Sequence, residues 1–211
     1  MRLLSVGAHP DDIEFGCGGT LHAFARAGAS IHLYVATCGE AGADPGTRRR
    51  EQQRVARKLK AALVWGDFND TKIPLARALI ESIESQIRRI KPDIVFTHWQ
   101  HDTHQDHRAI SAAVITASRQ IPNVLFFEGP TTHDFSPSVF MDICRDLPAK
   151  LKLLRLHKSQ VNKTNVPNLS ILEIARSTAV FRGYQYRVKC AEGFMPQRLS
   201  LDGRFLKRPG R

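Results

Sequence analysis

Short apolar runs without alternation, each passing into a polar loop and then a helix-patterned stretch, constrain this chain most. Leu3-Leu4-Ser5-Val6-Gly7-Ala8, Ile31-His32-Leu33-Tyr34-Val35-Ala36 and Ile94-Val95-Phe96-Thr97 are such runs. Their continuous apolar character predicts strands buried on both faces. Helices are expected over about 20–27, closed by Gly28, over about 47–62 and over about 75–90. In the last of these, Leu79, Ile80, Ile83, Ile87 and Ile90 recur at helical spacing before Lys91-Pro92-Asp93 stops it. A helix over 106–118, a strand over 123–128 and helices over 148–160 and 170–178 follow. Strand–helix alternation implies parallel strands joined by right-handed crossovers. The expected fold is α/β: a Rossmann-like three-layer sandwich with a mostly parallel central sheet. With 211 residues, no repeat and no linker, one domain over 1–211 is expected, its tail from about residue 197 peripheral or disordered.

Charge and composition narrow the partners. The chain carries 31 Lys+Arg against 20 Asp+Glu, a net charge of +11. Part of it sits in Arg48-Arg49-Arg50 with Arg54, Arg57, Lys58 and Lys60, and part in Arg204, Lys207, Arg208 and Arg211. A solvated helix face and a frayed tail account for it; the alternative is a surface attracting an anionic substrate or polymer. No RNP-like strand or zinc finger accompanies the charge, so nucleic acid is not the expected partner. No apolar run approaches the ~20 residues of a membrane span. Asp11 and Asp12 arrive too early for a signal-peptide core. Cys17, Cys38, Cys144 and Cys190 are scattered without a CxxC, so a reducing, cytoplasmic location is expected.

In open α/β sheets, ligands bind beyond the carboxyl ends of the strands, where strand order reverses. The first run ends at His9-Pro10-Asp11-Asp12 and the second at Gly39-Glu40-Ala41-Gly42. The third ends at His98 and leads into His101-Asp102-Thr103-His104-Gln105-Asp106-His107. Imidazole and carboxylate are the ligands of catalytic zinc, usually three from the protein with a fourth position open. His9 and Asp12 reach one ion if the loop folds back around Pro10, and the 104–107 segment supplies the third ligand, His107 being fixed by its helix. Asp11 is then either a general base or a cap on the turn at Glu14 and Phe15. His104 flanks the metal, and Asp106 holds one of its ring nitrogens, caps the helix, or does both.

The stretch from Val6 through His9-Pro10-Asp11-Asp12 to Glu14, Gly16, Gly18 and Gly19 resembles the opening of the PIG-L/LmbE-like zinc-dependent N-deacetylases. Further features follow in the family's order: Thr37-Cys38-Gly39-Glu40-Ala41-Gly42, Arg48 with Glu51, Pro92 to Thr97, and Asp102-x-His104-x-Asp106-His107. His157-Lys158-Ser159-Gln160 and Ala191-Glu192-Gly193-Phe194 complete the match, which spans roughly residues 2 to 195. Two departures stand out: Gln105 where relatives often carry Pro, and Leu59-Lys60 where they carry Leu-Gly.

The resemblance implies hydrolysis of an N-acetyl group on an N-acetylglucosaminyl, amino-sugar conjugate. By motif it makes His9, Asp12 and His107 the metal ligands and Asp11 the base that deprotonates zinc-bound water and later protonates the amine. His104 would stabilise the oxyanion, with Asp106 orienting His104. Glu40, Arg48, Asp70 and Asp102 would contact substrate; the alternative for Arg48 is a solvated helix position, and for Asp102 a part in shaping the loop. The ligand set suits Zn2+ and also admits Fe2+. Homo-oligomers are common among relatives, but no interface is legible here. The other readings are a metal hydrolase of another small-molecule amide or ester, and a basic non-enzymatic polyanion binder.

Overall fold

The computed structural model describes residues 1–200, so the basic tail positions Arg204, Lys207, Arg208 and Arg211 lie outside the described residues. In chain order the elements are β1 (Arg2–Gly7), α1 (Asp12–Arg26), β2 (Ser30–Thr37), α2 (Pro45–Leu59), β3 (Ala62–Phe68), α3 (Arg77–Ile90) and β4 (Ile94–His98). Then come α4 (Gln105–Ala117), β5 (Val124–Phe127), β6 (Val139–Asp142), α5 (Leu147–Arg155), α6 (Ile171–Tyr186) and β7 (Ala191–Arg198). The strands form one seven-stranded sheet in the order β3-β2-β1-β4-β5-β7-β6. Pairing is parallel from β3 to β5, and β7 runs antiparallel to both of its neighbours. The mostly parallel α/β sandwich is the expected one.

Burial on both faces explains the missing alternation. Leu3, Leu33 and Phe96 pack with Ile13 and Val55 under α1 and α2. Leu4, Tyr34 and Val95 pack with Ile83 and Ile110 under α3 and α4. Successive residues of one strand therefore enter different apolar layers, and neither face needs polar residues. Strand order reverses between β1 and β4, which pair Leu3↔Ile94 and Ser5↔Phe96. That pairing brings the carboxyl ends of two motif-bearing strands side by side.

The structure differs from expectation where glycine or half-exposed strands obscure the pattern. Helix α1 starts at Asp12 and takes in the glycines expected to be loop. They permit close packing: a Cβ on Gly16 would stand 2.2 Å from the Phe127 ring. The helix kinks at Cys17 (φ −143°), and the Gly19 and Thr20 amides donate to the Glu192 carboxylate at 2.9 and 2.7 Å. Lys150 completes this buried brace, reaching Glu192 at 2.6 Å and donating to the Phe15 carbonyl. Helix α2 stops at Leu59 because Lys60 caps it in the left-handed region (φ 54°), and the following residues form the partly exposed edge strand β3.

Later boundaries shift for similar local reasons. Helix α5 ends at Arg155, and the turn after it is held by Glu51, which accepts from Ser159 N and Oγ at 2.9 and 2.7 Å. Helix α6 runs on to Tyr186, and β7 extends to Arg198, whose guanidinium bonds the Ser118 and Ile121 carbonyls. Among the described residues no helix is long and apolar enough to cross a membrane, and all four cysteines are free.

The Glu192 brace carries a stability prediction. Removing one partner of a buried, hydrogen-bonded ion pair costs about 3–5 kcal/mol. Glu192→Ala should therefore lower the urea midpoint sharply at unchanged m-value. A midpoint within error of the parent would contradict the assigned role.

Candidate active site

After β1 the backbone turns through Asp11 in the left-handed region (φ 88°), a conformation that Asp tolerates better than most residues. The turn folds Asp12 back, so that its Oδ2 accepts from His9 N at 2.7 Å. The same oxygen lies 3.3 Å from His9 Nδ1 and 3.2 Å from His98 Nε2. Asp12 Oδ1 lies 3.3 Å from Nε2 of His107, in the first turn of α4. The acidic turn after β1 and the histidine-rich segment after β4 thus meet at one carboxylate.

The far ring nitrogens also face carboxylates. His9 Nε2 lies 2.9 Å from Asp70 Oδ1 and 3.1 Å from Asp106 Oδ2. His107 Nδ1 lies 3.2 Å from Asp102 Oδ2. Imidazoles that ligate a metal characteristically have the other nitrogen anchored by a carboxylate, which fixes tautomer and ring direction. His9 and His107 show this arrangement, with their remaining nitrogens turned towards Asp12. His9, His104 and His107 also offer one ligand atom each within 4.8 Å of one another. Asp12, His98 and His107 form a second such group, so His107 belongs to both, and imidazoles with a carboxylate are a donor set that suits a divalent cation.

The electrostatics follow from crowding carboxylates around imidazoles. Burial opposes the charged form of His107, but Asp12 and Asp102 outweigh it and raise its pKa to about 9. His9 is likewise held well above the usual range, with Asp106, Asp12 and Asp70 overcoming burial. Burial and the neighbouring His107 push His98 down to about 4. A neutral His98 suits its place, since its Nε2 accepts from Ala8 N at 3.1 Å. Burial raises the Asp11 carboxyl, and the Arg48 and His157 charges limit the rise.

Several expected roles change. Asp11 makes no side-chain cap bond, and its carboxylate instead meets Arg48 Nη1 at 3.3 Å. Arg48 is buried rather than solvated, and its Nη2 donates to the Pro10 carbonyl at 3.0 Å. Gly39 makes room for it: Gly39 has φ 68°, and a Cβ there would lie 2.6 Å from Arg48 Nη2. The Asp106 carboxylate does not hydrogen-bond His104; it faces His9 and accepts from Thr71 N at 2.7 Å and Ile73 N at 3.3 Å. His104 is itself the N-cap of α4, its Nδ1 accepting from the backbone N–H of Asp106 at 3.2 Å.

Of the expected substrate contacts, Arg48 and Asp70 line the cavity, while Asp102 and Glu40 face elsewhere. Asp102 accepts from His104 N at 2.8 Å and from the Thr131 and Thr132 hydroxyls at 2.7 and 2.8 Å, and it faces His107. It therefore lies against His107 and joins two loops. The exposed Glu40 accepts from Asp70 N at 2.7 Å and shapes the neighbouring loop. His98, stacked on His107 at 4.0 Å between ring centroids, has no role assigned by the sequence motifs; its place at the end of the third apolar run is the available signal.

The cavity over the cluster encloses about 440 Å³. His9, Asp11, Asp12, His104 and His107 line it together with Arg48, Asp70, Gln160 and Lys163, and Phe15, Pro130, Ile171 and Ile174 add apolar wall. A larger cavity of about 810 Å³ lies near the amino ends of β1 and β4, between Arg2, Lys91 and Ile121, and none of these histidines lines it. Side-chain chemistry, not size, identifies the smaller one as the candidate site.

Comparison with known proteins identifies the family of the chain. The model of the PIG-L family, GlcNAc-PI de-N-acetylase, matches residues 4–118. The uncharacterized deacetylase YaiS of Escherichia coli (strain K12) is 37% identical over 167 residues, covering 74% of this chain and 90% of that protein. The diacetylchitobiose deacetylase of Thermococcus kodakarensis is 27% identical over 186 residues, covering 75% and 70%. Among solved structures, the conserved protein TT1542 from Thermus thermophilus superposes with a TM-score of 0.84 at 26% identity, covering 95% of this chain and 96% of that one. The chain belongs to the PIG-L family and is an enzyme of the deacetylase class.

Proposed function

We propose that this protein is a metal-dependent N-deacetylase that hydrolyses the N-acetyl group of an N-acetylglucosaminyl conjugate in the cytoplasm. One observation carries the reading: Asp12 stands between His9 and His107, and the far nitrogen of each imidazole faces a carboxylate. The family match and the named activity of the Thermococcus relative support the choice of an amino-sugar amide.

His9, Asp12 and His107 would hold Zn2+, or Fe2+, which the same ligands accept. When bound, the ion supplies Lewis-acid polarisation of water and of the amide carbonyl. Asp11 takes the proton from the attacking water as oxygen bonds to the carbonyl carbon, and delivers it to nitrogen as the C–N bond breaks, releasing acetate and the free amine. Two features suit Asp11: its side chain carries no cap bond, and Arg48 holds it at the cavity wall. His104 accepts through Nδ1, so its neutral ring carries the proton on Nε2 and can donate to the oxyanion. Asp106 anchors His9, and Asp102 anchors His107, so both act by positioning. Arg48, Asp70 and Lys163 line the cavity; the first two would border the sugar, and Lys163 would favour an anionic group on the aglycone.

The direct test is acetate release from N,N′-diacetylchitobiose and from a phosphorylated N-acetylglucosaminide, before and after chelation and after zinc is restored. Loss on chelation with recovery on zinc supports the reading; turnover indifferent to chelation overturns it. Asp11→Asn should lower kcat about 100- to 10,000-fold with bound metal unchanged by elemental analysis. Full activity in that variant would remove Asp11 from the chemistry. Asp102→Ala should weaken metal affinity about 10- to 100-fold, measured by competition with a chromophoric chelator. An unaltered affinity would show that Asp102 does not position His107.

A further inference from the structure

A second group of metal-ligating side chains lies outside the catalytic cavity. The loops after β4 and β5 pair antiparallel through Asp102 and Thr132. On either side of that pair, His133 N donates to His101 O and Thr103 N donates to Thr131 O, each at 3.1 Å. This register sets His101 directly across from His133, the spacing at which cross-strand side chains interact. Asp102 is 2% exposed and faces His107, whereas His101, His133 and Asp134 are all exposed. The ribbon thus has an inner side serving the catalytic cluster and an outer side carrying two imidazoles and a carboxylate.

The outer geometry is close to that of a coordinated ion. One ligand atom from each of His101, His133 and Asp134 lies within 4.8 Å of the others. Asp134 Oδ2 is 2.9 Å from His133 Nδ1 and 3.8 Å from His101 Nδ1, and the two rings stack at 5.9 Å between centroids. A tetrahedral ion with bonds of about 2.0–2.1 Å holds its ligand atoms about 3.3 Å apart, which these two distances bracket. His101 Nε2 meets the Gln100 amide at 3.4 Å, so its Nδ1 is the nitrogen turned to Asp134. Two imidazoles with one carboxylate suit Zn2+, Cu2+ or Ni2+ better than the all-oxygen ions Mg2+ and Ca2+. Core packing does not explain the pair, since neither ring is buried.

We propose that His101, His133 and Asp134 form a second divalent-cation site, which takes one zinc-class ion with water in its remaining positions. The ion clamps the ribbon whose inner face carries Asp102, linking metal at the rim to the group that aligns His107.

The test is equilibrium dialysis of the metal-loaded, full-length protein against buffered micromolar Zn2+, with zinc per chain read by elemental analysis. The parent should hold one zinc more per chain than His101→Ala/His133→Ala, and Asp134→Asn should also lose that ion. All three substitutions are at exposed positions, and circular dichroism verifies that the variants fold. The parent should gain more thermal stability than the variants as zinc is raised through this range. Equal zinc content in parent and double variant overturns the proposal, as does a difference that arises only at millimolar zinc. An empty His9–Asp12–His107 site would lower both counts equally and leave their difference intact, so the two readings fail separately.

Discussion

The Asp12 carboxylate joins the two halves of this structure. Its oxygens lie within 3.3 Å of nitrogens on His9, His98 and His107, which arrive from the turn after β1, the end of β4 and the start of α4. Such a meeting requires three things of the fold. The β1–β4 pairing must place the strand ends together, the left-handed residue Asp11 must turn its neighbour inward, and α4 must begin beside them. A buried carboxylate without partners would be costly. The His9 and His107 imidazoles, or a cation beside them, make this one tolerable and make the surrounding geometry specific.

Rigid elements supply the aim, and loops supply the enclosure. The central strands are packed in apolar side chains on both faces, which leaves their ends little freedom. Helix α1 carries the acidic turn and is pressed against β5 through Gly16, while β7 and α5 hold its kink through Glu192 and Lys150. Around this frame Arg48 reaches in from α2 to the Pro10 carbonyl, and Asp102 ties the loop after β4 to the loop after β5. Residues that act by positioning are therefore drawn from elements far apart in sequence.

Much of this is legible in the sequence. Unbroken apolar runs can be recognised as buried parallel strands, and the residues just beyond them are where such sheets bind ligands, so His9, Asp12 and His107 can be grouped from sequence. The partners of Asp102 and Asp106 cannot. Both lie in one short segment rich in histidine, and only the tertiary structure shows that Asp106 faces His9 while Asp102 faces His107. The onset of α1 is hidden because its glycines look like a loop until the Phe127 ring beside them is seen. Strand β3 has only partial burial and a glycine within it, and β6 has only four residues, so neither leaves a periodic signal. Arg48 sits in a run of three arginines, and nothing in that run marks it as the buried one.

The most direct measurement of the central claim is an anomalous difference map, recorded at the zinc edge from crystals of the zinc-loaded protein. The account predicts a peak about 2.0–2.2 Å from one atom each of His9, Asp12 and His107, with His104 outside bonding distance and facing the cavity. A peak bonded to His104 in place of Asp12, or no peak at this cluster under full zinc loading, would contradict it.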